Sequence, residues 1–526
     1  MEENNVNINK QETFKQPPKS FWVDSTSHTN YPILDENLKV DIAIVGGGIA
    51  GITSAYLLSK SGLNVAVVEA DRILQGTTGH TTAKITSQHG LIYNKIKDSV
   101  SEALAWQYAA ANEAAIRMIQ KIVTENHIDC DYIPESAYIY TLQDEYIQPI
   151  YDEAKTAASF GIKAEYLEET PLPFKVKAAV RFDNQAQFHP LKFLLALAQK
   201  VTNTGGLIFE QTPIVAIDEN NNYTLTTSKG HKISAQKVII ASHYPFYNKP
   251  AIYFARIYQQ RSYVVAISAK EKYPGGMYIN AENPTRSLRS QLSESGELIL
   301  VGGENHKTGQ GIDENKHYEA LIDFANETFT LSDIPYRWST QDCMTLDSIP
   351  YVGHFTSKTP NMYIATGFQK WGMTNSMASA MLLRDLIIDQ KSPWQDVYNP
   401  SRDTLSASTK HFIVQNLDVA VEITKGKLAP LSEAITIERG EAKIIKVDGK
   451  RTGAYRDETG TLHLVNTTCP HLGCELCWNA AERSWDCPCH GSRFSYKGDV
   501  LEGPSVHPLS SAYDVNTLQK IISENF

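Results

Sequence analysis

Two short stretches near the C-terminus carry thiols and imidazoles in a fixed order, Cys469-Pro-His471-Leu-Gly-Cys474 and Cys487-Pro-Cys489-His490-Gly-Ser492. The core spacing is Cys-x-His followed by Cys-x-x-His, so each arm offers one soft thiolate and one imidazole. A 2Fe–2S centre with thiolates on one iron and imidazoles on the other needs that donor set. Neutral imidazoles in place of thiolates lower the negative charge on such a centre and raise its reduction potential. Because histidine titrates, electron movement can also be coupled to a proton. Zinc accepts two cysteines and two histidines as well, but zinc fingers put both cysteines on one arm, and here the arms are mixed. Five of the seven cysteines crowd into this segment, and the chain starts without an apolar export signal. The crowding therefore points to a metal site before a disulfide framework.

A second motif lies near the N-terminus. Asp41-Ile-Ala-Ile-Val45 reads as a buried strand, Gly46-Gly-Gly48-Ile-Ala-Gly51 follows at once, and Ile52 to Ser61 continues as a helix. Leu63 to Val68 is the next strand, ended by Glu69. Strand, glycine turn, helix, strand and terminal acid in register form a dinucleotide-binding fingerprint. Gly46 permits the tight turn, Gly48 lets a pyrophosphate approach the helix N-terminus, and Gly51 lets helix pack on strand. Glu69 is placed to accept hydrogen bonds from a ribose.

The elements that must position these motifs follow from hydrophobic periodicity. Ser101 to His127 reads as a long amphipathic helix, Gly206 to Ala241 as short strands, and Met362 to Ala365 as a strand leading through Gly367 and Gly372 into an apolar helix ending near Ile388. After Pro393 a linker helix and then a β-rich unit punctuated by Gly and Pro are expected. The expected division is a tail over 1–35, an oxidoreductase domain over 36–395 and a linker helix over 396–432, with an all-β unit over 433–526. An apolar fraction of 42% and a charged fraction of 21% are those of a globular protein. The net charge of -10 disfavours nucleic acid or an anionic membrane as partner. No membrane-spanning segment is expected, because the most apolar stretch, Ile42 to Leu58, is too short and glycine-broken. A cytoplasmic location is the corresponding expectation.

Two family resemblances sharpen these readings. The segment with Trp338 and Asp347-Ser-Ile-Pro350-Tyr-Val-Gly353, and residues 361–374, resemble the C-terminal FAD-contacting elements of the D-amino-acid oxidase superfamily, which includes glycine and sarcosine oxidases. The resemblance spans roughly Val40 to Ile388 and implies FAD. It also implies nucleotide-binding segments at about 36–100, 200–245 and 335–395, with a β-rich substrate domain interleaved. The cofactor-binding residues it brings together are Gly46, Gly48, Gly51, Glu69, Thr77, His80, Asp347, Gly353, Gly367 and Gly372. The loop Gly76-Thr-Thr-Gly-His80 also resembles that of dimethylglycine and sarcosine dehydrogenases, where a histidine carries the flavin covalently. His80 is read either as that residue or, preferably, as a polar neighbour of the flavin. Lys84, Arg261, Tyr263, Lys370 and Trp371 are candidates for the substrate face. Arg261, Tyr263 and Lys370 are the catalytic candidates, and Arg261 is either a carboxylate grip or an inter-domain ion pair.

From about Ala434 the chain resembles the Rieske proteins of cytochrome bc complexes. The resemblance makes Cys469, His471, Cys487 and His490 the ligands of the 2Fe–2S cluster and implies a disulfide between Cys474 and Cys489. It also implies that Gly503-Pro504-Ser505-Val-His507-Pro508 covers the cluster. Phe494 stands where that family carries a tyrosine, so one hydrogen bond to a ligand sulfur is absent.

The expected fold class is α/β plus all-β: a Rossmann-like FAD-binding domain with an interleaved β-rich substrate domain, then a small Rieske β-domain. The expected function is oxidation of a small amine or amino-acid-like substrate, with electrons leaving singly through the cluster to an external protein or quinone, or entering in reverse. The alternatives are an oxygen-using flavin oxidase with a regulatory cluster and a non-enzymatic redox sensor.

Overall fold

The computed structural model describes residues 14, 16–219, 222–247, 251–311, 313–402, 405–428, 436–447 and 449–510. The start of the expected N-terminal tail, the end of the linker segment beyond Leu428 and the last residues of the β-rich unit lie outside them.

The first sheet has the strand order Tyr351–His354, Met362–Thr366, Lys232–Ile240, Leu38–Val45, Val65–Val68, Leu207–Phe209. The last five strands run parallel, with Ile44 beside Ile239 on one side and Val67 on the other. A parallel sheet is covered on both faces, which is why these segments are continuous apolar runs. Successive side chains alternate between faces. Ile42, Ile44, Val65 and Val67 enter one core with the helices Ile49–Lys60, Glu102–Glu125, Pro190–Asn203 and Gly372–Ile388. Ala43, Val45, Ala66 and Val68 enter a second core with the antiparallel strands Ile214–Glu219 and Tyr223–Thr227.

A nine-stranded sheet stands beside the first. Its longest pair is Ile257–Ala269 against Leu331–Thr345, antiparallel, with Arg261 opposite Gln341, Ser262 opposite Thr340 and Tyr263 opposite Ser339. The two-residue period decides what each side chain meets. Ser262 and Asp342 turn to one face, where both contact Lys370. Arg261 and Ser339 turn to the other and hydrogen-bond to each other.

The helix Leu405–Leu428 leads to two small antiparallel sheets, one of three strands (Ala442–Val447, Lys450–Arg456, Leu462–Asn466) and one of four (Cys477–Asn479, Ser484–Asp486, Arg493–Ser495, Val500–Glu502). Trp485 is fully buried in their core against Trp478, Leu476 and Phe494. A methyl group on Gly453 would sit 2.6 Å from the Trp485 ring, so this contact requires glycine there.

Candidate active site

One cavity of about 660 Å³ runs from the glycine turn to the nine-stranded sheet. At one end Gly46, Gly48, Ile49 and Ala50 line it at the start of the helix Ile49–Lys60. Gly46 has φ +110, and a Cβ there would lie 2.4 Å from the carbonyl oxygen of Ala241. A Cβ on Gly51 would lie 1.9 Å from the carbonyl oxygen of Gly46, so only glycine allows helix and turn to approach this closely. Glu69 lines the same end and accepts backbone N–H bonds from Gly47 at 2.7 Å and Asp71 at 3.1 Å. Burial raises its carboxyl above the usual value. An anion-accepting helix start, a close-packed glycine turn and an acid ending the second strand fit a dinucleotide.

Thr77 and His80 line the middle of the cavity. The Thr77 hydroxyl donates to the carbonyl of Gln341 at 3.1 Å, and His80 Nδ1 lies 2.9 Å from the carbonyl of Gly76. Gly372 lines it at the first turn of the helix Gly372–Ile388. At the far end stand Lys84, Ser262, Tyr263, Ser287, Asp342, Lys370 and Trp371. Lys370 is paired with Asp342 at 3.0 Å.

Several expected site residues lie elsewhere. Asp347 is buried in an ion pair with Arg402 at 2.8 Å and does not line the cavity. Gly353 packs toward Pro400. Gly367 is a turn residue with φ +76, where a Cβ would meet Thr345 at 2.3 Å. Gly51 serves packing rather than lining. Arg261 faces the C-terminal unit, with Glu502 at 3.4 Å and Glu482 at 3.7 Å, because its strand position points it away from Ser262 and Asp342.

In the C-terminal unit Cys469, His471, Cys487 and His490 come together on two facing loops. The rings of His471 and His490 are 5.1 Å apart, and the Nδ1 atom of each is buried without a hydrogen-bond partner. Cys469 and Cys487 hydrogen-bond to each other, which lowers the Cys469 thiol to about 7 and pushes Cys487 up. Two adjacent sulfurs facing two unpartnered imidazole nitrogens are the donor set of an iron pair, and nothing else in the described residues satisfies those nitrogens. Cys474 and Cys489 form a disulfide, S–S 2.11 Å, that ties the two loops. Both its sulfurs lie within 4.8 Å of that of Cys487. The Ser492 hydroxyl accepts the backbone N–H of Ser505 at 3.0 Å, fixing the covering loop over this site.

Comparison with known proteins agrees with this geometry. Residues 41–386 match the family of FAD dependent oxidoreductases, and residues 428–517 match the Rieske [2Fe-2S] domain. The chain belongs to the FAD-dependent oxidoreductase family. The Rieske 2Fe-2S iron-sulfur protein YhfW of Bacillus subtilis is 44% identical over 94% of this chain and 97% of its own length. Gamma-glutamylputrescine oxidoreductase of Escherichia coli is 21% identical over 70% of this chain and 88% of its own. Among solved structures, glycine oxidase from Geobacillus kaustophilus superposes with a TM-score of 0.57 at 18% identity, covering 70% of this chain and 99% of that one. Members of the first family bind FAD, and Rieske domains bind a 2Fe–2S cluster.

In this FAD-dependent oxidoreductase the two cofactor regions share a wall. Glu502, Gly503, Pro504, Ser505, Val506 and Pro508 of the Rieske domain line the same cavity as Gly46 and Gly48. The Gln341 amide donates to the carbonyl of Gly491 at 2.9 Å, and Gln341 also accepts from Thr308 at 2.9 Å. Phe254 stands edge-on to His490 at 5.8 Å and to His471 at 6.4 Å. His243 lines the cavity, and its carbonyl lies 3.4 Å from the sulfur of buried Cys343, which accepts from Gln259 at 3.0 Å. Cavity residues His243, Gln341 and Asp342 belong to no sequence motif; only their place at the C-terminal ends of strands could have flagged them. No helix among the described residues is long and apolar enough to cross a membrane.

Proposed function

We propose that this enzyme oxidises a small amine or amino-acid-like substrate at its CH–NH bond and delivers the electrons singly, through the Rieske domain, to an external protein or quinone. When bound, FAD supplies acceptance of an electron pair, and a 2Fe–2S cluster supplies one-electron exchange. Gly46, Gly48 and the start of the helix Ile49–Lys60 would hold the pyrophosphate of FAD and Glu69 its ribose, with Thr77, His80 and Gly372 nearby in the same cavity. Cys469, Cys487, His471 and His490 would hold the cluster. Ser262, Asp342, Lys370 and Trp371 form the substrate wall.

The single observation that carries this reading is the shared cavity, with the covering loop of the Rieske domain forming one wall and the glycine turn another. The E. coli and Geobacillus relatives, named for a polyamine derivative and for glycine, support an amine-type substrate.

The test is anaerobic. Candidate amines are added one at a time while flavin absorbance and the electron paramagnetic resonance of the cluster are followed. The expected result is flavin bleaching, then the signal of a reduced cluster. In His490→Ala, bleaching persists and the cluster signal is absent. In a parallel assay in air, peroxide formation at equal rates in wild type and His490→Ala would replace this reading with that of an oxygen-using oxidase.

A further inference from the structure

Lys84 opens the short strand Lys84–Ile85 and lies at the substrate end of the cavity beside Ser287, Ile279 and Gly302. Its Nζ donates to the carbonyl of Tyr278 at 2.8 Å and to the hydroxyl of Ser287 at 2.6 Å. Among the described residues it has no carboxylate at ion-pair distance, whereas the cavity's other lysine, Lys370, is committed to Asp342. A neutral amine has two N–H donors and one lone pair. The two acceptors use both donors and leave the lone pair. Lining the cavity, the neutral Nζ presents that lone pair to an incoming N–H donor.

The surroundings favour the neutral form. The strand Arg286–Ser293 brings Arg289, fully buried, whose guanidinium donates to the carbonyls of Thr82 at 3.1 Å and Ala83 at 2.8 Å, immediately before Lys84. The strand Ala178–Gln187 faces Lys84 with Gln187, which is uncharged. Tyr278 keeps its phenol proton because burial pushes its pKa up. His89, packed on Trp371, is held neutral by burial at about 3. Burial first, and then Arg289, bring Lys84 down to about 7.

We propose that Lys84 is the catalytic base that takes the proton from the ammonium nitrogen of the incoming substrate. An alkylamine reaches a neutral-pH site protonated, and in that form its nitrogen has no lone pair to assist departure of hydride from the adjacent carbon. In the step assigned to Lys84 the substrate N–H bond breaks and an Nζ–H bond forms. The electron pair of the broken bond stays on the substrate nitrogen, and one positive charge moves from substrate to Lys84. No redox change occurs in this step. The proton later leaves to solvent, restoring the neutral lysine. Ser287 and the carbonyl of Tyr278 hold Nζ in place throughout. This role rests on the amine reading above.

Two measurements on the holoenzyme test it. In the first, the anaerobic rate of flavin reduction by an amine that reduces the wild type is measured from pH 5 to 9 for wild type, Lys84→Met and Lys84→Arg. The wild type should show an acid limb with an inflection near the Lys84 value. Both variants should lose that limb and fall about 10²- to 10⁴-fold in rate, with flavin and cluster contents unchanged. In the second, lysine carrying ¹³C at Cε is incorporated and titrated by NMR. One resonance, missing in Lys84→Arg, should titrate near neutrality. If that resonance titrates near 10, or if Lys84→Met keeps the limb and the rate, the proposal is overturned. If no amine reduces the wild type although the resonance titrates near neutrality, the amine reading fails, and the role in amine deprotonation with it.

Discussion

The side-chain amide of Gln341, on a long strand of the nine-stranded sheet, donates to the carbonyl of Gly491, between His490 and Ser492, over 2.9 Å in a buried setting. Gly491 has φ +76, and a Cβ on it would stand 2.5 Å from Gln259. One hydrogen bond and one missing side chain therefore set how closely the cluster loop approaches the cavity.

Gln341→Leu leaves the Gly491 carbonyl buried without a donor, which costs about 1–3 kcal/mol. Transfer from flavin to cluster should slow while flavin reduction by substrate is unchanged. Stopped-flow absorbance at separate flavin and cluster wavelengths distinguishes the two steps. Equal slowing of both would assign Gln341 to substrate binding instead.

Arg261 is 1% exposed and faces Glu482 and Glu502 across the domain boundary. Arg261→Ala removes one of two guanidinium partners, leaving Arg493 at 3.8 Å from Glu482 and 3.4 Å from Glu502. It should destabilise the docked Rieske domain by less than a fully broken buried pair, which costs about 3–5 kcal/mol. The effect depends on pH. Burial acts against the Glu482 carboxylate, but Arg261 and Arg493 outweigh it and hold its folded-state pKa below the ordinary 4.5. The pair's stabilisation is thus fully present above about 4.5 and is lost as pH falls through the depressed folded value. Thermal unfolding of wild type and variant should differ at pH 7 and converge in strong acid.

Gly51→Ala forces a methyl group against the Gly46 carbonyl, 1.9 Å away in the native geometry. The helix must shift from the turn, a strain of about 1–3 kcal/mol. FAD affinity should fall about ten- to a hundredfold, read from the flavin-to-protein absorbance ratio after dialysis, with the iron content unaffected.

Cys474→Ser removes a disulfide with a sequence separation of 15. Loop-closure entropy assigns such a cross-link about 3 kcal/mol. The Rieske domain should melt at a lower temperature, by calorimetry, and a strong reductant should lower the wild type toward the variant. A variant insensitive in both respects would make the bond irrelevant to stability.

The positions that spacing alone revealed share a property. The glycines at 46, 48 and 51 act on one turn, and Cys469, His471, Cys487 and His490 sit on two loops joined by short strands. The disulfide, implied by resemblance to the Rieske proteins, closes between the same loops. The expectation for Asp347 rested on a family resemblance, and residue type alone left Arg261 open between a carboxylate grip and an inter-domain ion pair. Asp347 is bound to Arg402 at 2.8 Å, and Arg261 to Glu502, 241 residues further along the chain. Gln341 and His243 carry no sequence signal because their contacts come from distant strands. Lys84, a substrate-face candidate from sequence, gains its partners Tyr278 and Ser287 only from strands 194 and 203 residues away.

The sequence by itself thus determined the two cofactor types, the order of the domains and the local motifs that grip each group. Those properties depend on residues whose separation along the chain fixes their separation in space. The tertiary structure decided which wall the two sites share, which face of each long strand lines the cavity, and which charged groups are paired. Those depend on strand parity and inter-domain packing, which bring together side chains that no linear spacing relates.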